Sequence, residues 1–287
     1  MIKTQRKPFI IKAARCTLGL LNTSATCLSW GGHKKLAVGH GNGHLSIWNV
    51  ERALRRPNGN DITKSKLFLM LSLCCMDSCI RSLNWNGYHD PTKIFMGGYD
   101  GQVLVFDTLD PFFTKTMFRS RGLVCGTAWS HHSHILFHID SDGHCRGEGF
   151  AKDNTQVGFK YGLVQGFVWE MCVSPHHGHF AVVSALGWVR SNNMFMNKKK
   201  KLSVVQKSVY KLHYDEETDE LRYIDGIGYH NLDELRASPA YNQYGKSLMS
   251  IHKAAWNPNR STSAFLATGG AAGLCRIDFE GKGSKWN

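Results

Sequence analysis

The residues in this chain best suited to chemistry are its cations. Lys198, Lys199, Lys200 and Lys201 form an unbroken run, with Arg190 and Lys207 close by in sequence, and Lys34-Lys35 and Arg55-Arg56 form two further pairs. Clustered lysine and arginine concentrate polyanions and gain binding free energy by releasing condensed counterions from phosphates. Such contacts position a nucleic acid without reading its sequence. Lys198 to Lys201, Arg190, Lys34, Lys35, Arg55 and Arg56 are therefore the candidate partner or nucleic-acid contacts. The solvated alternative for a lysine run is an inert surface or a nuclear localisation patch.

Other reactive residue types form no recognisable constellation. The cluster Cys74, Cys75 and Cys79 lacks the paired CxxC spacing of a zinc site. His131, His132, His134 and His138 fall together, as do His176, His177 and His179, in stretches that read as loops and strand ends. No G-x-x-x-x-G-K-[ST] phosphate loop and no G-x-S-x-G elbow occurs. Asp100 and Asp142 sit beside turn glycines, where a structural duty is expected. The expectation is a non-enzyme with no catalytic residues, no cofactor, no metal and no small-molecule substrate.

What must position the cations is a repeated unit. The copies read ATCLSW…LAVGHGNGHLSIWN at 25–49, IRSLNW…IFMGGYDGQVLVFD at 80–107, AWSHHSHILFHIDSDGHC at 128–145, MCVSPHHGHFAVVSALGWV at 171–189 and KAAWNPN…AFLATGGAAGLCRIDF at 253–279. Their anchors are Trp30, Trp85, Trp129, Val173 and Trp256, spaced 55, 44, 44 and 83 residues apart. A four-stranded propeller blade takes about 40–45 residues. The 55 is one blade plus the polar insert at 55–66, and the 83 is near two blades, or one with long insertions.

Each copy carries hairpin chemistry. Asn42-Gly43, Asp100-Gly101 and Asp142-Gly143 suit a type I′ turn with φ > 0 at both central residues. Leu186-Gly187 and Ala272-Gly273 keep only the glycine. Apolar residues then alternate: Leu45 and Ile47, Val103 and Val105, Cys275 and Ile277. That period of two puts one face into a core. The fold class expected is all-β, a WD40-type β-propeller. Five blades are recognisable, of five to seven in all, and the ring is either small or lacks part of its N-terminal region. A sixth blade could hide in 203–247. The four tryptophans are expected in the core.

Composition agrees. The chain has 287 residues, 42% of them hydrophobic, and nine cysteines scattered through apolar positions, which suits a reducing compartment. No apolar run is long enough for a membrane helix, and no membrane partner is expected. The net charge is +13, and residues 1–66 hold 12 lysines and arginines against Glu51 and Asp61. The acidic stretch DEETDE follows at 215–220. The domains expected are a basic arm at 1–22, a propeller at 23–279 and a polar tail at 280–287.

The ordered segments MCVSPHHGHFAVVSALGWVRSNNM at 171–194, YKLHYDEETDELRYIDG at 210–226, SPAY at 238–241 and AAWNPNRSTSAFLATGGAAGLCRIDF at 254–279 resemble the WD-repeat subunit of the RNA polymerase III transcription factor TFIIIC. The resemblance spans roughly residues 23–279. It implies a nuclear scaffold that sits with the largest TFIIIC subunit in the half of the complex recognising the internal B-box promoter of tRNA genes. DNA would then be met through the complex, with weak direct phosphate contacts at most. Family members carry a long N-terminal extension, and this chain shows almost none of it. The alternative is a generic WD-repeat protein-interaction adaptor unrelated to transcription.

Overall fold

A computed structural model describes residues 23–32, 34–51, 69–85, 92–112, 114–130, 134–150, 156–193, 207–225 and 246–280. They form five antiparallel sheets, each built from strands in chain order. Sheet 1 holds β1 (Ala25–Trp30), β2 (Lys35–His40), β3 (His44–Asn49) and β4 (Leu69–Cys74). Sheet 2 holds β5 (Ile80–Trp85), β6 (Lys93–Gly98), β7 (Gln102–Asp107) and β8 (Thr114–Arg119). Sheet 3 holds β9 (Val124–Ser130), β10 (Ile135–Asp140), β11 (His144–Phe150) and β12 (Gln156–Leu163). Sheet 4 has five strands: β13 (Val168–Val173), β14 (His179–Ser184), β15 (Trp188–Asn193), β16 (Lys207–Asp215) and β17 (Glu220–Asp225). Sheet 5 has three: β18 (Ile251–Trp256), β19 (Phe265–Gly270) and β20 (Cys275–Phe279).

The first strands β1, β5, β9, β13 and β18 lie side by side in that order. The sheets therefore fan around a common axis as blades of a β-propeller. Each junction between neighbours has its own apolar cluster. Ala37, Leu45, Ile80, Trp85 and Phe106 join sheets 1 and 2. Phe95, Val103, Val124 and Leu136 join sheets 2 and 3. Phe137, Ile139, Val168 and Phe180 join sheets 3 and 4. Val183, Val189, Ile251 and Trp256 join sheets 4 and 5. Among the described residues sheet 5 does not pack on sheet 1.

That open junction corrects one expectation. Trp85 and Trp256 are buried, and Trp129 stacks on Phe95 with ring centroids 5.2 Å apart. Trp30 is 53% exposed, because no described sheet precedes it. The stretch 203–247 holds no separate blade in its described part: β16 and β17 extend sheet 4.

The hairpin turns also differ from expectation in one respect. All five are closed by a glycine amide: Gly43 N–H to His40 O, Gly101 to Gly98, Gly143 to Asp140, Gly187 to Ser184 and Gly273 to Gly270, at 3.0–3.2 Å. Only the closing glycine takes positive φ, from +75° to +81°. The residue before it has ordinary φ, which is why Leu186 and Ala272 can replace Asn or Asp there. Asn42 and Asp100 instead accept from the amides of His44 and Gln102, at 3.3 and 3.1 Å.

Candidate partner and nucleic-acid interface

An antiparallel sheet sends its first-to-second and third-to-fourth connections out at one end. All blades here run alike, so one rim of the propeller gathers these connections. Lys34 lies on the first connection of sheet 1, and Lys35 opens β2. Arg55 and Arg56 belong to the link between β3 and β4, and Lys198 to Lys201 to the link between β15 and β16. The last six of these lie outside the described residues.

Lys34 is exposed, adopts positive φ (56°) and pairs with Glu51 at 3.4 Å. An exposed pair of this kind contributes little to stability and can be re-formed with a phosphate. Lys35 is half-buried at the start of β2.

Arg190 is the exception and a correction. It is 2% exposed, and its guanidinium lies 4.6 Å over the Trp188 ring, which Lys211 also approaches at 5.1 Å. Burial pulls its pKa down to about 10, so the side chain remains charged at neutral pH. The reason is architectural. β15 is a middle strand with a sheet packed on each face, so polar alternation there does not mean solvent. Arg190→Met should leave DNA affinity unchanged while shifting the thermal midpoint by a few degrees, the usual scale for a buried side chain of altered charge. Loss of DNA binding with an unaltered midpoint would return Arg190 to the contact set.

The histidines fasten loops. His176 Nε2 donates to Pro258 O at 2.7 Å and His177 Nε2 donates to Ser263 O at 2.9 Å, tying the first loop of sheet 4 to that of sheet 5. His177 Nδ1 faces His179 Nδ1 at 3.0 Å. Because the Ser263 carbonyl fixes the His177 proton on Nε2, neutral His177 accepts at Nδ1 and His179 donates. Both rings lie against Trp256. In sheet 1, Trp48 Nε1 donates to Ser46 Oγ at 2.9 Å, and that hydroxyl shares a 2.7 Å hydrogen bond with His40 Nε2. These are internal ties, for which sequence offers only proximity as a signal.

Inside the fan, the five first strands surround a cavity of about 650 Å³. Its polar lining includes Ser29, Arg81, Asn84, Thr127, Glu170 and Lys253. Glu170 is already engaged, accepting from Lys253 Nζ at 2.9 Å and from the Ala254 amide at 3.0 Å. Ser82 donates to Thr127 at 3.2 Å. Among the described residues, no group of three His, Cys, Asp or Glu side chains could hold a metal ion. Burial raises the Cys27 and Cys75 thiols to about 11 and Cys125 to about 12, so these cysteines stay protonated and pack as small apolar groups.

No known family model matches this chain. It is 22% identical over 278 residues to the transcription factor tau subunit sfc6 of Schizosaccharomyces pombe, covering 93% of this chain and 44% of that protein. The chain thus spans less than half the length of this relative. Among solved structures, the β-propeller domain of Myceliophteria thermophila Cps50 (Swd1) superposes with a TM-score of 0.56 at 12% identity, covering 93% of this chain and 70% of that one. A chain of the Mitotic Checkpoint Complex superposes with a TM-score of 0.54 at 17% identity, covering 88% and 60%. The two structural likenesses establish the propeller fold.

Proposed function

We propose that this chain is a non-catalytic scaffold subunit of a TFIIIC-like, promoter-binding transcription factor that supports RNA polymerase III at tRNA-type genes. The observation that carries this reading is the match to the tau subunit over nearly the whole chain. The segments around 171–194 and 254–279 support it, as does the net charge of +13 with its cations clustered in sequence. A rigid fan of sheets with engaged interior polar groups suits assembly better than turnover. The partners are the other TFIIIC subunits, the largest above all, and the place of action is the nucleus. DNA is held chiefly by the complex, with the rim lysines adding phosphate contacts.

Affinity purification of the tagged protein tests the assembly. TFIIIC subunits should co-purify from the nuclear fraction. Recovery of an unrelated cytoplasmic assembly instead would establish the adaptor reading. A second measurement tests the rim. At about 50 mM salt the isolated protein should bind duplex DNA without sequence preference, and affinity should fall steeply as salt rises. Replacing Lys198 to Lys201 by glutamine should flatten the log–log salt slope by about 3 to 4. An unchanged slope would show that these lysines touch no phosphate.

A further inference from the structure

Each first strand carries a surplus residue at the same place. The pairing registers step over Thr26 in β1, Arg81 in β5, Cys125 in β9, Trp169 in β13 and His252 in β18. Each of these is the second residue of its strand. A β-bulge re-aims the side chain of its extra residue, and bulges gather beside functional sites. The first strands lie side by side, so the bulges form a tier at the end of the cavity where these strands begin. Lys34 lies beyond their other end. Thr26, Arg81, Cys125 and Trp169 line the cavity, and His252 rests on Trp169 with ring centroids 4.8 Å apart.

Within this tier the permanent charge is that of Arg81. Burial raises the thiols of Cys27 and Cys125, and the Arg81 guanidinium opposes the rise on both, so it stands within reach of both flanking strands. The thiols remain protonated and add no negative charge. Among the described residues lining the cavity, Glu170 is the one carboxylate. It is taken up by Lys253 Nζ at 2.9 Å and the Ala254 amide at 3.0 Å. The lining therefore keeps the positive charge of Arg81 uncompensated. Donors accompany it. Ser29 Oγ accepts from the Trp85 amide at 2.9 Å and Thr127 Oγ1 accepts from Ser82 at 3.2 Å, so each hydroxyl keeps its own proton to donate. Asn84 adds an amide to the same lining.

We propose that this cavity binds a small phosphate monoester, with Arg81 anchoring the phosphoryl group. The planar guanidinium offers parallel N–H donors to two oxygens, and Ser29, Asn84 and Thr127 are the further donors. Three phosphoryl oxygens use such a set more fully than the two oxygens of a carboxylate. A volume of about 650 Å³ is that of a metabolite site, and Leu83, Met171 and Val173 supply an apolar wall for the organic part. The ester is a ligand and not a substrate. This inference goes beyond the transcription-factor reading and does not rest on it.

Isothermal titration calorimetry of the full chain with phenyl phosphate at about 150 mM salt tests the proposal. A dissociation constant of about 1 mM or tighter is expected. Arg81→Gln should weaken binding at least about tenfold, and Arg81→Lys should recover only part of that loss, since lysine keeps the charge without the fork. Asn84→Asp places a carboxylate in the lining and should weaken binding by about as much; it carries the test if the Arg81 variants do not fold. Arg119→Gln removes an exposed cation of β8 outside the cavity and should bind like the parent chain. Benzoate should bind several-fold more weakly than phenyl phosphate. No binding at about 10 mM phenyl phosphate, or parent-like binding by the Arg81→Gln and Asn84→Asp variants that fold, overturns the proposal. An equal loss in Arg119→Gln does so too, because attraction by the net charge would then explain the binding. Equal affinity for benzoate overturns the phosphate assignment, and tighter binding of a short phosphoserine peptide overturns the small-molecule one.

Discussion

Gly101→Val should lower the thermal midpoint by roughly 8 °C or more, while Gly273→Ala at the equivalent turn should cost only about 2–4 °C. Both glycines hold nearly the same backbone, φ +79° and +75°. Any L residue there bears about 1–2 kcal/mol of left-handed strain, and a β-branched one more. The surroundings separate the two. A Cβ at 101 would strike the Ser120 carbonyl, part of the segment whose amide closes onto Gly101. That strand cannot retreat without losing its ladder to β7 and the Met117 contact in the junction between sheets 2 and 3. At 273 no described atom stands within 4 Å of that Cβ, so strain acts alone. Differential scanning fluorimetry of the two variants checks the contrast. Equal losses would mean that the outer strand does not press on the turn.

The second large effect is acid sensitivity centred on His138. This side chain is 1% exposed in β10, tilted against Phe118 with ring centroids 4.6 Å apart. Burial, reinforced by the Arg146 guanidinium, pushes its pKa down to about 4. The folded chain therefore refuses a proton that the unfolded chain accepts near 6.5. Stability is full above about pH 6.5 and drains as pH falls towards 4, by up to about 3 kcal/mol. His40, lowered chiefly by burial, works in the same direction. Asp140 does not contribute in this window. Burial would raise it, but hydrogen bonds from His144 and Ser120 prevail and hold it below the usual carboxylate range, so its contribution is lost only at lower pH. Denaturant titrations at pH 7 and 4.5 should show the loss in the parent chain and a much smaller one in His138→Leu. A full loss in that variant would move the acid-sensitive group elsewhere.

Neither effect depends on the partner, and together they probe the junctions that make the fan rigid.

The local chemistry of the chain was legible in its sequence. Alternating apolar residues after each glycine marked β3, β7 and β20, and recurrence of the unit marked blades. Tertiary structure decided which faces meet solvent. Arg190 and Ile277 occupy equivalent hairpins and read as outside and inside; the structure buries the first at 2% exposure and leaves the second at 67%. Trp30 follows the same rule. A strand's own residues set its period and its turn, but burial is a property of the neighbouring sheet, and no single segment encodes whether that neighbour is present.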